Sequence, residues 1–259
     1  MAYILHDPRI FGITLNPLEV YRLSLEVKGN DVLFLTIKWA IARDLDNRNL
    51  VHLAAEIGNV SLLQYLRQHG HIWDTETCLI AAAYNQLSVL QYLHEEGCPW
   101  DTRTCTMAAL NGHLEVLRYA SSQGCEWNIY TCAAAATNGH LDCLRYLHEN
   151  GCPWNGLICA RAAANGQLNC LIYAHEQDCP WDDATCTMAA GGGHLNCLIY
   201  AHKEGCPWYE DACFAAAARG HLDCLIYAVE HGCPIGDEIC LWPTGYPDID
   251  NYLVSIGIC

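Results

Sequence analysis

The chain has 259 residues, is 52% hydrophobic and carries a formal charge of −16. The acidic excess lies wholly beyond residue 48, where 7 basic side chains meet 23 acidic ones; it argues against nucleic acid or an anionic membrane as partner, since both need a basic face. No run of about 18 uncharged apolar residues is available to span a membrane, and the opening MAYILHDPRIFG lacks a charged-then-apolar leader, so the expected location is the cytoplasm.

Residues 1–46 are read as an N-terminal segment with capping helices. Pro8 and Pro17 punctuate it, Leu18 to Val27 is a candidate helix before the Gly29-Asn30 break, and Asp31 to Arg43 resembles the second helix of the unit that follows. The stretch Pro17-Leu18-Glu19-Val20 also admits a degenerate F-box, which would make the chain a substrate adaptor of a ubiquitin ligase.

Residues 47–235 form seven units of 27 residues. Asn138 to Trp154 reads NGHLDCLRYLHENGCPW, and its nearest copy, from Asn111, reads NGHLEVLRYASSQGCEW. Turn glycines fall in phase at Gly58, Gly112, Gly139, Gly166, Gly193 and Gly220, with Asn85 filling the gap. A period of about 20–50 residues denotes an array in which each unit buries its apolar face on its neighbours.

Each unit predicts two helices. Asp101 is a good N-cap for the first, a choice repeated by Asp74, Asn128, Asn155 and Asp182. Trp100 before the cap and Cys105 at the fourth helical position are placed as a hydrophobic staple. In the unit from Asn128, Cys132, Ala135, Ala136 and Gly139 make one stripe at helical spacing, with Tyr130, Ala134 and Thr137 opposite. The second helix, His140 to about Asn150, is apolar around most of its circumference and so is expected to be buried on more than one side. Gly151 stops it in the left-handed region and Pro153 prevents continuation. Residues 236–259 read as a C-terminal cap: Trp242-Pro243 and Tyr246-Pro247 break the first helix, and Ile249 to Ile256 supplies a second.

The 18 cysteines follow the same phase, apart from Cys259, and are expected to be reduced thiols. His140 and Cys143 have the spacing of a shared helix face, but Gln86 and Gln167 replace the histidine elsewhere, and Val89 and Val116 replace the cysteine. Those replacements preserve a hydrogen bond or a packed volume, not a zinc ligand, so neither metal nor cofactor is expected. The ladder Trp73, Trp100, Trp127, Trp154, Trp181 and Trp208 ends in Ile235, which is apolar but cannot stack, and reads as core packing. Gly191-Gly192-Gly193 is, in phase, the end of a first helix. Histidines and carboxylates repeat with the unit instead of forming one asymmetric cluster, so no enzyme is expected.

Leu50-Val51-His52-Leu53-Ala54-Ala55 resembles the opening of an ankyrin first helix, and Asn111-Gly112-His113-Leu114-Glu115-Val116-Leu117 resembles that family's helix–turn–helix signature. The resemblance covers about residues 31–259 and implies an all-α solenoid of stacked helix-turn-helix units. The usual unit has about 33 residues and a β-hairpin finger; here a short Cys-Pro-Trp-Asp-like link replaces the finger. The short unit is similar to arrays of giant DNA viruses and amoebae, and a viral origin would place the protein in the host-cell cytoplasm. Family members are mostly protein-binding scaffolds, so the partner expected is another protein of unknown identity.

Two surfaces are candidates for it. One is the variable face of the first helices: Arg103, Met107, Tyr130, Leu157, Arg161 and Phe214. The other is the row Ile172, Ile199 and Ile226, which replaces Gln64, Gln91, Arg118 and Arg145 of earlier units and is expected to be exposed. A self-assembling or structural protein that forms a homo-oligomer through this row is the alternative to the scaffold.

Overall fold

The computed structural model describes residues 47–240 and 244–259. The expected helices at 18–27 and 31–43, and the F-box-like stretch, lie outside the described residues. From Asn47 onward, helices follow in pairs: α1 Asn47–Glu56 and α2 Val60–Gln68; α3 Thr75–Ala83 and α4 Leu87–Glu95; α5 Thr102–Leu110 and α6 Leu114–Ser122. They continue as α7 Ile129–Thr137 and α8 Leu141–Glu149, α9 Gly156–Ala164 and α10 Leu168–Glu176, α11 Asp183–Gly191 and α12 Leu195–Lys203, α13 Glu210–Ala218 and α14 Leu222–Glu230. A 3-10 turn, Asp237–Cys240, and α15, Pro247–Ser255, close the array. Among the described residues every regular element is helical, and the link between units stays short, without a hairpin.

Odd-numbered helices stack on one another as one layer and even-numbered helices as a second, with the closest packing along the first layer. Side-chain size explains the difference. Ala108 and Ala109, Ala135 and Ala136, and Ala162 and Ala163 are all fully buried, and small side chains let helix axes approach closely. The second helices supply the bulk: Leu90 and Leu93, Leu117, Leu144 and Leu147 are likewise fully buried.

The turn inside each unit is fixed by two demands. Gly139 has φ of 76°, in the left-handed region, and a Cβ there would collide with the Gln167 side chain of the next unit. Gly112 lies the same way beneath His140. Asn85 and Asp178 hold φ of 59° and 56° where other units have glycine, which their short polar side chains tolerate. The histidine that covers the turn has its own task. His113 Nε2 lies 3.0 Å from the Ala83 carbonyl; the carbonyl can only accept, so the ring donates from Nε2. Gln86 does the same to the Glu56 carbonyl at 2.8 Å, which is why glutamine substitutes.

Link cysteines instead close each unit on itself, bonding back to the N-cap of its first helix. The Cys125 thiol donates to the Asp101 carbonyl at 3.3 Å, and Cys152 repeats the bond to Asn128 at 3.3 Å. The expected N-caps form: Asn128 accepts from the Tyr130 amide at 2.9 Å, and Asp74 pairs with Thr77 in a capping box. Tyr209 stands in the cap position of α13 without a side-chain cap bond, while Glu210 and Asp211 place negative charge in the first turn.

The end of the array departs from the pattern. The step from Gly220 to Gly245, and from Gly232 to Gly257, is 25 residues, two short of the unit, and all four glycines are left-handed. The shortening removes the first helix and leaves the 3-10 turn, while the second helix survives with Pro247 in its first turn. Tyr246 takes the place of the turn histidine, over Gly220. Sixteen cysteines are free and buried, but Cys240 and Cys259 form a disulfide, which corrects the expectation that every cysteine is a thiol. Cys240 occupies the slot that is buried in a first helix elsewhere; with that helix gone it is exposed and meets the returning tail.

Candidate interaction surfaces

The seams between units come first, because they decide what is left over. His148 stacks on Trp154 with ring centroids 3.7 Å apart, Trp154 meets the edge of Tyr173 at 6.2 Å, and the Tyr173 hydroxyl shares a 3.0 Å hydrogen bond with His148. The triad recurs as His175, Trp181 and Tyr200, and as His202, Trp208 and Tyr227. Trp73 is buried and the other five ladder tryptophans are half-buried, so these rings are spent on the seam rather than offered as a track. Where histidine is missing, another group covers the ring: the Arg67 guanidinium lies 5.2 Å from the Trp73 centroid.

The thiols are equally committed. Burial pushes Cys143, Cys170, Cys197 and Cys224 up to about 11. A neighbouring thiol, Cys125, together with burial drives Cys105 higher still. Such groups stay protonated near neutral pH and are poor nucleophiles. Among the described residues no group of three or more His, Cys, Asp or Glu is placed to hold a metal ion, and no helix is long and apolar enough to cross a membrane.

The outward face of the first-helix layer is what remains. Tyr130 is 66% exposed and Phe214 46%, and Arg161 is exposed on the same face. Arg103 is exposed but engaged: its guanidinium pairs with Asp101 at 3.0 Å and Glu76 at 3.6 Å. Met107 and Leu157 are half-buried. Two residues outside the sequence-derived set belong here, Met188 and Tyr209, at 44% and 56% exposure. Met188 was legible, since it holds the slot of Met107 and Arg161; Tyr209 was masked by the expectation that its slot is a cap. Small residues such as Ala134, Ala160 and Ala215 floor the face between these larger side chains.

The isoleucine row is less open than expected. Ile172, Ile199 and Ile226 are half-buried, not exposed. Their slot explains it: the Arg118 and Arg145 guanidinium groups in that slot lie 4.7 Å over the rings of Tyr146 and Tyr173 in the next unit. The position therefore runs alongside a neighbouring ring and not straight into solvent.

Comparison with known proteins agrees with this architecture. A family model described as ankyrin repeats (many copies) matches residues 131–175. No curated protein is similar in sequence. Among solved structures, the human ASB11 ankyrin repeat domain superposes with a TM-score of 0.58 at 16% identity, covering 71% of this chain and 98% of that one. The turn, link and seam residues recur in phase along the array, and the chain has the ankyrin-repeat fold, built from a unit of 27 residues.

Proposed function

We propose that the protein is a non-catalytic protein-interaction scaffold whose partner docks on the outward face of the first-helix layer. The observation that carries this reading is a division of labour within each unit. Side chains that repeat are consumed by the seams, while those that differ from copy to copy, Tyr130, Leu157, Arg161 and Phe214 among them, face outward. A face that changes from unit to unit can read an asymmetric partner, and tyrosine, methionine and arginine are enriched where proteins bind. The acidic array disfavours nucleic acid and anionic membrane as the occupant. Arg103 is engaged on this face: it holds Asp101 in its own unit and Glu76 and Thr75 in the preceding one, and so acts by tying two units together.

The test is affinity capture with mass spectrometry, comparing the natural chain with a variant carrying Tyr130→Ala, Arg161→Ala and Phe214→Ala. Captured protein should fall at least tenfold while the melting temperature moves by less than about 3 °C, since surface changes away from buried features cost little. Undiminished capture would contradict the proposal.

Self-assembly through Ile172, Ile199 and Ile226 is the second reading, favoured by three apolar residues in one slot of consecutive units. Ile199→Asp should dissociate an oligomer in light scattering if that row is the interface; a monomer before the substitution removes the reading. The ubiquitin-ligase adaptor rests on residues 15–45 alone and would require direct binding of a ligase adaptor. A cytoplasmic location, within a host cell if the source is viral, fits buried thiols in most units.

A further inference from the structure

We infer that the Cys240–Cys259 disulfide is a redox-sensitive clasp that holds the terminal unit closed over the array. Three observations lead there. First, the chain divides its cysteines sharply: sixteen are buried, six of them donating from the link to a carbonyl 24 residues back, whereas both partners of the disulfide are exposed. A dithiol can reach this bond and no other cysteine on the described surface. Second, the terminal unit has little else to hold it. Having lost its first helix, it anchors through Ile239, Ile249 and Leu253, supported by Tyr246 over Gly220 and by Asp250, whose carboxylate accepts from the Thr244 amide at 3.1 Å and hydroxyl at 2.8 Å. Third, the bond joins the 3-10 turn to the residue beyond α15, so it closes a loop that encloses the whole surviving helix.

Elsewhere the link cysteine that follows the second helix and its turn glycine bonds back to the N-cap carbonyl of its own unit. After α15 that slot, next to Gly257, holds Ile258, which is exposed together with Val254 and Ile256. The covalent clasp takes over the task that the link cysteine performs in the other units. Opening it is a two-electron exchange. One thiolate of a dithiol attacks a sulfur of the disulfide and forms a mixed disulfide, its second thiol resolves that bond, and the reductant leaves as its own cyclic disulfide. Cys240 and Cys259 each take up one proton. Freed of the clasp, α15 detaches more often from the rest of the array.

Hydrogen exchange on the full chain, with and without dithiothreitol, tests this. Peptides from 247–258 should exchange about a hundredfold faster after reduction, the loss expected for a loop of this length, while peptides from 101–150 stay unchanged. Native alkylation with iodoacetamide should label Cys240 and Cys259 after reduction and neither before. Cys259→Ser should exchange like reduced protein whether or not the reagent is present, with the unchanged 101–150 peptides showing that it folds. Equal protection of 247–258 in both redox states, a Cys259→Ser variant as protected as the oxidised chain, or labelling of Cys240 before reduction would each overturn the clasp.

Discussion

At residue scale the turn glycines are the positions with least freedom. Two independent constraints meet at Gly139, a left-handed backbone and contact with the next unit's Gln167, so any Cβ is wrong twice. Gly139→Ala is expected to destabilise by about 2 kcal/mol or more, read as a drop in denaturation midpoint, whereas Gly151→Ala, left-handed at φ of 80° with nothing within reach of a Cβ, should cost about 1 kcal/mol. Equal costs would mean that Gln167 yields freely. These glycines were legible from phase alone. What phase could not give was the reason histidine and glutamine interchange above them. That depends on a carbonyl about thirty residues back, and on both side chains having an N–H that reaches it. Asp74 shows the same kind of hidden partnership. Burial alone would raise its carboxyl, but hydrogen bonds from His52 and Thr77 outweigh burial and hold it below the usual range.

At the scale of elements, the unit of cohesion is the seam and not the helix pair. The residue spacings in the triad of His148, Trp154 and Tyr173 cross a unit boundary, so the helical wheel of either helix cannot reveal it. The sequence places the tryptophans beside staple cysteines; what it does not show is their ring partners, His148 in the same unit as Trp154 and Tyr173 in the next. Tyr173→Phe removes one hydrogen bond and keeps the edge contact, and should cost about 1 kcal/mol. Trp154→Ala removes both ring partners of a half-buried side chain, and should cost about 2–3 kcal/mol. Urea unfolding of both variants checks the order, and a tyrosine change costlier than the tryptophan change would place the cohesion in the hydrogen bond. The same logic explains the disulfide's invisibility in sequence. Cys240 keeps its phase, and only the two-residue shortening, which strips away its helix, turns a packing residue into a bonding one.

At the scale of the molecule, the consequence of a short link is that the described residues form a smooth array without fingers, so a partner has two broad layers to choose between. The first-helix layer offers small residues with a few large exposed side chains; the second-helix layer offers a half-buried isoleucine row beside seam tyrosines. The number of layers and their order were readable from the repeat, because period and slot fix them; of the outward residues, Tyr130, Arg161 and Phe214 were readable and Tyr209 was not. The depth of the isoleucine slot was not, because it depends on how far each unit is offset from the next. The most direct measurement is hydrogen exchange on the full chain with and without a captured partner. The account predicts slowed exchange at the outward face of α7, α9 and α13, Ile129–Thr137, Gly156–Ala164 and Glu210–Ala218. Protection confined to α10, α12 and α14, Leu168–Glu176, Leu195–Lys203 and Leu222–Glu230, would contradict it and move the binding site to the isoleucine row.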